Sequence, residues 1–229
     1  MKHSVLNSVR LFRRDMGNML IHFTRGRTAG VIPPYWNGGT PWLPPSPEVT
    51  AAKTAFEVLR EILQRGKIFG TGFLNKGGYK CVSFTEWPVA ELPALFALND
   101  ELAKASEQPR YEPYGIAVRK EWLFQRNGRP VIYSPDSEYS LLPPELQWRY
   151  VRYEPPYIDF SWEREWRVPC AELTINPNDV IVLVKEVKEA HWVTYGFSQL
   201  SPGLDPKTGA NVTYSNPSWM AVSLDLFGG

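Results

Sequence analysis

Cysteine is scarce in this chain of 229 residues, and so is an excess of charge of either sign. The two cysteines, Cys81 and Cys170, are too few for a disulfide framework and are not spaced as metal ligands, so they favour a reducing compartment. The formal net charge is +1, which excludes a global electrostatic attraction to nucleic acid or to a membrane surface. Any such binding has to depend on a local surface.

Long apolar runs and metal-ligand patterns are also missing. The chain contains no run of about 18 apolar residues, the length that a membrane-spanning helix needs. Ser4, Asn7 and Ser8 interrupt the first residues before the apolar core of a signal peptide is reached. Three histidines and two distant cysteines do not form a zinc-ligand pattern. These absences predict a cytoplasmic protein without a membrane span or a metal site.

Aromatic residues and proline are abundant instead. Nine Trp, eleven Tyr and eleven Phe accompany 21 Pro, which predicts strands joined by ordered aromatic loops. Hydrophobic residues make up 43% of the chain and charged residues 21%, as in ordinary globular proteins. A chain of this length can bury a substantial core. We therefore expect a single α+β domain over residues 1–229.

Hydrophobic periodicity locates the main elements of this domain. The clearest helix follows Ser46-Pro47-Glu48, which supplies an N-cap, a first-turn proline and an acid, and it ends at Gly66. Residues 26–47 are predicted as a long loop, which inside a compact domain usually has a function. Alternating or β-branched patterns predict strands at residues 18–25, 80–86, 114–118, 130–133 and 179–187, an edge strand near 219–226, and a second helix over 89–105.

The stretch from Ser161 to Pro169 is the most informative in the chain. As a strand, it places Glu163, Glu165 and Arg167 on one face, with the two carboxylates about 7 Å apart. The aromatic face would anchor the strand in the core, and Arg167 would bias the ionisation of both acids. Such a pair suits acid–base chemistry at a cleft. A solvated edge strand whose acids pair with arginines is the alternative.

Two other predicted strands carry polar side chains at alternate positions. His22 and Thr24 share one face of the first strand, and Ser83 and Thr85 share one face of the second. Each pair alone is more typical of a satisfied structural position. Together with Glu165 they form three polar faces on three strands, which favours a common site.

Aromatic and arginine residues are interleaved ahead of the Ser161–Pro169 stretch. Arg149, Tyr150, Arg152 and Tyr153 form the pattern of a stacking platform for the bases of single-stranded nucleic acid. A packed aromatic loop explains the same residues, and the pattern alone does not decide between the two.

In this order the motifs resemble those of the ADP-ribosyltransferase superfamily. The likeness is to the DarT-like toxins that modify nucleic acid and to the abortive-infection proteins of the AbiGi type. The segment His22–Thr24, ahead of a helix that ends at Gly66, is similar to the first motif of the family. Ser83–Thr85 is similar to the second motif. Glu165–Pro169 resembles the stretch around the glutamate of the third.

The resemblance implies a fold and a chemistry. The fold is an ADP-ribosyltransferase-like split β-sheet core with peripheral helices and long aromatic, Pro-rich loops, and NAD is the co-substrate. Glu165 would stabilise the oxocarbenium-like ribose as nicotinamide leaves, and Glu163 would orient or deprotonate the incoming nucleophile. His22 would bind the adenosine ribose, Thr24 would bind the nicotinamide amide, and Phe84 or a nearby aromatic residue would stack on the nicotinamide ring. The implied NAD-binding set is His22, Phe23, Thr24, Ser83, Phe84 and Thr85.

The resemblance also implies a toxin or phage-defence effector, together with a cognate antitoxin. The acceptor would be single-stranded DNA or RNA, chosen by the loop over residues 139–157. The spacing Glu163-x-Glu165 is closer to the branch that modifies arginine side chains, so a protein acceptor stays open. A non-catalytic antitoxin or interaction module of the same fold also stays open. Every enzymatic version that the resemblance implies places His22 and Glu165 at one pocket, which they face from neighbouring strands.

Overall fold

The computed structural model describes residues 17–26, 52–72, 75–88, 91–96, 111–196, 200–204, 211–215 and 219–227. Most of the predicted loop over residues 26–47, the predicted helix start at Ser46 and the end of the predicted 89–105 helix lie outside these ranges. The helices are α1 (Ala55–Arg65), α2 (Lys120–Gln125) and α3 (Val187–Gly196), and residues 91–96 are also helical. None of the helices in the described ranges is long and apolar enough to cross a membrane.

The strands are β1 (Met19–Phe23), β2 (Lys67–Phe69), β3 (Cys81–Thr85), β4 (Gly115–Arg119), β5 (Arg129–Pro130), β6 (Ile132–Ser134), β7 (Tyr150–Arg152), β8 (Glu165–Pro169), β9 (Glu172–Thr174), β10 (Val180–Val184), β11 (Leu200–Leu204), β12 (Asn211–Ser215) and β13 (Ala221–Ser223).

A seven-stranded sheet organises the described part of the chain, in the order β13-β10-β4-β1-β3-β8-β5. Its neighbours are antiparallel except for the parallel pair β10 and β13. The apolar strand predicted at 179–187 is the internal strand β10, and the strand predicted near 219–226 is β13 at the edge. The α+β class is therefore confirmed. Smaller two-stranded sheets pair β2 with β9, β6 with β7 and β11 with β12.

The sheet has an apolar cluster on each face. Helix α1 buries Val58, Leu59 and Ile62 in the larger cluster, against Leu20 and Phe84 of the sheet. The smaller cluster lies on the other face and combines residues of the sheet with the helical segment 91–96. Its buried members are Ile21, Leu92, Leu95, Ala117, Leu183 and Leu224.

The ends of α1 follow local signals. Gly66 ends the helix with φ +61°, as its sequence position predicts, because glycine adopts this left-handed conformation without a steric penalty. The predicted start at Ser46 lies outside the described residues; within them, residues 52–54 are not helical and α1 covers Ala55–Arg65. Thr54 and Glu57 form a reciprocal capping box at the start of α1, which satisfies two backbone N–H groups of the first turn.

Candidate active site around Glu165

The three strands that carry the predicted motifs are direct neighbours in the sheet, in the order β1, β3, β8. This adjacency confirms the prediction that the motifs lie on neighbouring strands. Ile21 of β1 pairs with Thr85 of β3, and Thr85 pairs with Glu165 of β8. Paired residues project from the same face, so Ile21, Thr85 and Glu165 form one row.

His22 is not in that row. It follows Ile21 in β1 and therefore projects from the opposite face, where it pairs with Ile116 and its ring lies 5.6 Å from that of Phe84. The expectation that His22 and Glu165 face one pocket is wrong. Side-chain alternation along each strand is a local property, whereas the register between β1 and β3 decides which alternating sets share a face.

His22 lies where β1 and β3 separate. These two strands share a single paired position, Ile21 with Thr85. Next to this position, a side chain links the two strands: Nδ1 of His22 donates a hydrogen bond of 2.8 Å to the carbonyl oxygen of Ser83. Burial lowers the pKa of His22, while the Ser83 carbonyl acts in the opposite direction. His22 thus connects β1 to β3 through a side-chain hydrogen bond.

The lowered pKa of His22 predicts a pH-dependent stability. Below the ordinary value of 6.5 the unfolded chain binds the proton more readily than the folded one, so the free energy of unfolding falls as the pH drops from there. The limiting slope is about 1.4 kcal/mol per pH unit. His22→Asn, which keeps an N–H donor, should lose less stability than the parent between pH 7 and pH 5 in urea denaturation. His191→Asn, at an exposed position, controls for loss of an imidazole, and equal losses in the parent and His22→Asn would contradict the prediction.

Two other predicted NAD contacts are buried in the core. Thr24 is 2% exposed, and its hydroxyl donates to the carbonyls of Ala55 and Tyr114 at 3.0 and 3.3 Å. Phe84 is 1% exposed within the larger apolar cluster. The predicted roles of the Thr24 hydroxyl and the Phe84 ring are therefore corrected to structural ones, because neither group reaches the surface. Phe23 packs against the rings of Phe96 and Tyr111 on the other face, at 6.0 and 5.1 Å.

Glu163 and Glu165 do not share a strand, which overturns a second expectation. Ser161–Glu163 is a turn of 3₁₀-helix, and Arg164 has φ 46° and ψ 49°, in the left-handed region. Strand β8 begins only at Glu165. The turn is started by Asp159, whose Oδ1 accepts from the backbone N–H and the hydroxyl of Ser161 at 2.8 and 2.6 Å. An Asp two residues before a Ser is the local signal that could have predicted this turn.

The short turn ahead of β8 is held by contacts from two neighbouring segments. The hydroxyl of Thr85 donates to the carbonyl of Glu163. The backbone N–H of Glu165 donates to the hydroxyl of Tyr133 at 3.1 Å. Burial raises the pKa of Tyr133 to about 12, and the charges of Glu165 and Glu163 act in the same direction. Both carboxylates are therefore within electrostatic reach of one phenol.

Arg167 fixes the orientation of the Glu165 carboxylate. Its Nε donates to Oε1 at 2.9 Å and its NH2 donates to Oε2 at 3.1 Å, so the contact is bidentate. Its NH1 donates to the carbonyls of Trp148 and Tyr150 at 3.1 and 2.9 Å. The guanidinium is 7% exposed and the Glu165 side chain 13%. The predicted shared face of Glu165 and Arg167 is confirmed, and both side chains are held rigidly.

Of the two aromatic members of the predicted nucleic-acid platform, Tyr150 is buried and Tyr153 is half-buried. Tyr150 is 4% exposed, and its hydroxyl donates to Oδ1 of Asp136 at 3.1 Å. Burial and this contact raise the pKa of Tyr150 to about 12. The ring of Tyr153 lies 6.3 Å from that of Tyr133. Tyr150 is thus part of a packed aromatic loop, and its predicted role as a stacking surface is wrong.

The arginines of the same platform have partners within the chain. Arg149 donates from Nε to the carbonyl of Pro130 at 2.9 Å, and burial lowers its pKa. Arg152 donates from NH2 to Oε2 of Glu154 at 2.5 Å. Arg149 is thus hydrogen-bonded to the backbone of the protein, whereas Arg152 stays exposed in a pair with a nearby acid.

An exposed aromatic side chain, Trp162, lies three residues before Glu165, in the 3₁₀ turn. The indole is 42% exposed and meets the rings of Trp87 and Tyr111 edge-on, at 5.6 and 6.2 Å. Trp87 and Tyr111 pack against the smaller apolar cluster, which contains Ile21 of the Glu165 row. Trp162 therefore stands on the same side of the sheet as Glu165.

A surface depression of about 280 Å³ lies on the other side of β8. It is lined by Trp166, which follows Glu165 in the strand, and by residues of α2. Because consecutive strand residues project from opposite faces, this depression is not part of the surroundings of the Glu165 carboxylate.

Comparisons of the chain with protein-family models, with curated proteins and with solved structures found no match. The function has to be inferred from the geometry around Glu165.

Proposed function

We propose that the protein is an NAD-dependent mono-ADP-ribosyltransferase in which Glu165 is the catalytic carboxylate. The observation that supports this most is the preorganisation of that carboxylate. Arg167 donates hydrogen bonds to both oxygens of the Glu165 carboxylate, and the Tyr133 hydroxyl accepts one from the backbone N–H of Glu165. Groups fixed in advance against a developing charge supply the largest single term in many enzymes, because they need no reorganisation during the reaction.

The proposed reaction requires an ionised carboxylate at a fixed position. When nicotinamide leaves the ribose of NAD, positive charge develops on the sugar, as it does in glycoside hydrolysis. Glu165 offsets this charge, and Glu163, two residues away in the adjoining turn, orients or deprotonates the acceptor. His22 lies on the opposite face, so the pocket that the resemblance implies for His22 and Glu165 together is not formed. The proposal therefore depends on Glu165 and its contacts alone and assigns His22 no role in this step.

The acceptor that the sequence predicts is single-stranded DNA or RNA, in toxin or phage-defence work that would require a cognate antitoxin. A specific observation favours a protein side chain as a second candidate. The stretch of chain over residues 131–167, which includes Glu165, carries seven carboxylates and four arginines. Three of these arginines, Arg149, Arg152 and Arg167, already donate to groups of the protein. A polyanion gains little from such a surface, whereas a cationic side chain is attracted to it.

The third candidate is a non-catalytic interaction module. It is favoured by the structural roles of Thr24 and Phe84 and by the separation of His22 from Glu165. Buried carboxylates and arginines are paired in proteins of any function, so the pair of Glu165 with Arg167 does not by itself require turnover. This candidate predicts that the protein does not bind NAD.

One assay separates the three candidates. The purified protein is incubated with NAD labelled in its adenosine part, together with single-stranded DNA, RNA or a mixture of basic proteins. Released nicotinamide is measured by chromatography and the labelled acceptor is identified by mass spectrometry. We expect nicotinamide release that depends on an acceptor. Label on protein alone would exclude the nucleic-acid acceptor, and label on nucleic acid alone the protein acceptor. Absence of release, with no NAD binding in calorimetry at millimolar concentration, would overturn the enzymatic proposal.

A further inference from the structure

Glu86 is a buried carboxylate that belongs to none of the three sequence motifs. It directly follows β3, and its side chain is 7% exposed. Its Oε1 lies 2.6 Å from Nζ of Lys120 and 3.3 Å from NH2 of Arg164. Carboxylates are seldom buried this deeply unless cations compensate them. Glu86 therefore connects the start of α2 to the turn that precedes Glu165.

The residue that Glu86 holds has an unusual backbone. Arg164 adopts φ 46° and ψ 49°, a conformation that residues with a Cβ rarely adopt. Such a residue persists when its surroundings compensate for the strain, and strained residues cluster at functional sites. Here the strained residue separates the 3₁₀ turn containing Glu163 from the first residue of β8, which is Glu165.

Consecutive residues of one strand end contact consecutive residues of the turn. Thr85 holds the carbonyl of Glu163, and Glu86 holds the guanidinium of Arg164. Thr85 is also paired with Glu165 across the sheet. Thr85, the last residue of β3, and Glu86, which follows it, thus make contacts with residues 163, 164 and 165.

We infer that Glu86 is a positioning residue of the proposed active site. It keeps Arg164 in the left-handed conformation. This conformation determines the direction in which the Glu165 side chain projects from the backbone. The inference rests on the proposed function, because it assigns the turn to the catalytic carboxylate. Lys120 provides the second positive charge that allows the Glu86 carboxylate to be buried.

The test compares two backgrounds that differ at the strained residue. Glu86→Gln keeps the shape of the side chain and removes its charge, and we expect kcat for nicotinamide release to fall roughly 10- to 100-fold, since small misplacements of catalytic groups have effects of this size. The KM for NAD should change little. Arg164→Ala should behave like Glu86→Gln. Arg164→Gly should retain more activity than Arg164→Ala, because glycine adopts the left-handed conformation without help.

The decisive measurement is Glu86→Gln introduced into Arg164→Gly. In the Arg164→Gly background, residue 164 adopts the left-handed conformation without the Glu86 charge. Adding Glu86→Gln should therefore cause little further loss of kcat. The loss of stability caused by an unpaired Lys120 should persist in both backgrounds, which separates positioning from folding. An equal loss of kcat in both backgrounds would overturn the inference. Glu172→Gln, at an exposed ion pair of β9 with Lys67, is the matched control for removing a carboxylate.

A readout that does not depend on activity distinguishes this inference from the proposed function. Amide hydrogen exchange of residues 161–165 should rise in Glu86→Gln and should not rise further when that substitution is added to Arg164→Gly. If the parent protein does not consume NAD but exchange behaves in this way, the proposed function fails while the role of Glu86 in the turn stands. Unchanged exchange in Glu86→Gln would sink the inference even if the parent protein is active.

Discussion

Glu165→Gln is expected to lower kcat for nicotinamide release by roughly 100- to 1,000-fold, the usual effect of removing one preorganised charge-stabilising group. The substitution keeps the size and shape of the side chain and removes the negative charge that the developing ribose cation requires. The KM for NAD should change less than kcat, because the interaction strengthens mainly in the transition state. The measurement is a steady-state rate of nicotinamide release at saturating acceptor.

A loss of folding has to be separated from this loss of chemistry. Neutralising Glu165 leaves the Arg167 guanidinium, 7% exposed, without its anionic partner, so some stability is lost as well. Rates should therefore be compared well below the thermal midpoint of each variant and normalised to the folded fraction. Glu172→Gln, on the exposed surface of β9, should retain the parent rate. Full activity in Glu165→Gln would show that the catalytic carboxylate has been misassigned.

Arg167→Met should produce the largest change in stability, a loss of about 3–5 kcal/mol in the free energy of unfolding, as found when one partner of a buried ion pair is removed. The substitution leaves the Glu165 carboxylate, 13% exposed, without a cation. It also removes the donor to the carbonyls of Trp148 and Tyr150. Arg167→Lys should recover only part of the loss, because an ammonium cannot reproduce the planar fork that serves all of these acceptors.

Urea denaturation at neutral pH measures this effect. The matched control is Arg152→Met, which removes an arginine from the exposed pair with Glu154 and should cost far less. The double variant Glu165→Gln with Arg167→Met should be more stable than the sum of the two single losses predicts, because neither charge is then left alone. Equal losses in Arg167→Met and Arg152→Met would contradict the assignment of Arg167 as the buried anchor of the site.

Local sequence signals predicted the elements that carry the site. Alternating apolar residues located β1 and β3, the β-branched run located β10, and Gly66 marked the end of α1. Each of these signals depends on a few adjacent residues, so no knowledge of the partner strands is needed. The shared face of Glu165 and Arg167 was predictable for the same reason, since both belong to one strand.

The sequence pattern did not predict whether the aromatic loop is buried. Arg149, Tyr150, Arg152 and Tyr153 have the composition of a stacking platform, yet Tyr150 is buried against Asp136, fourteen residues earlier in the chain. Whether such a residue faces outward depends on what packs over it, and composition does not contain that information.

By itself, the sequence determined that the protein is an α+β domain, that three strands carry polar motifs, and that Glu165 and Arg167 project together. Tertiary structure alone decided that His22 faces away from Glu165 and that Glu163 leaves the strand. The reason is physical: the side of a sheet on which a residue lies depends on the register with its neighbours, and the left-handed Arg164 separates the turn that contains Glu163 from strand β8, which begins at Glu165.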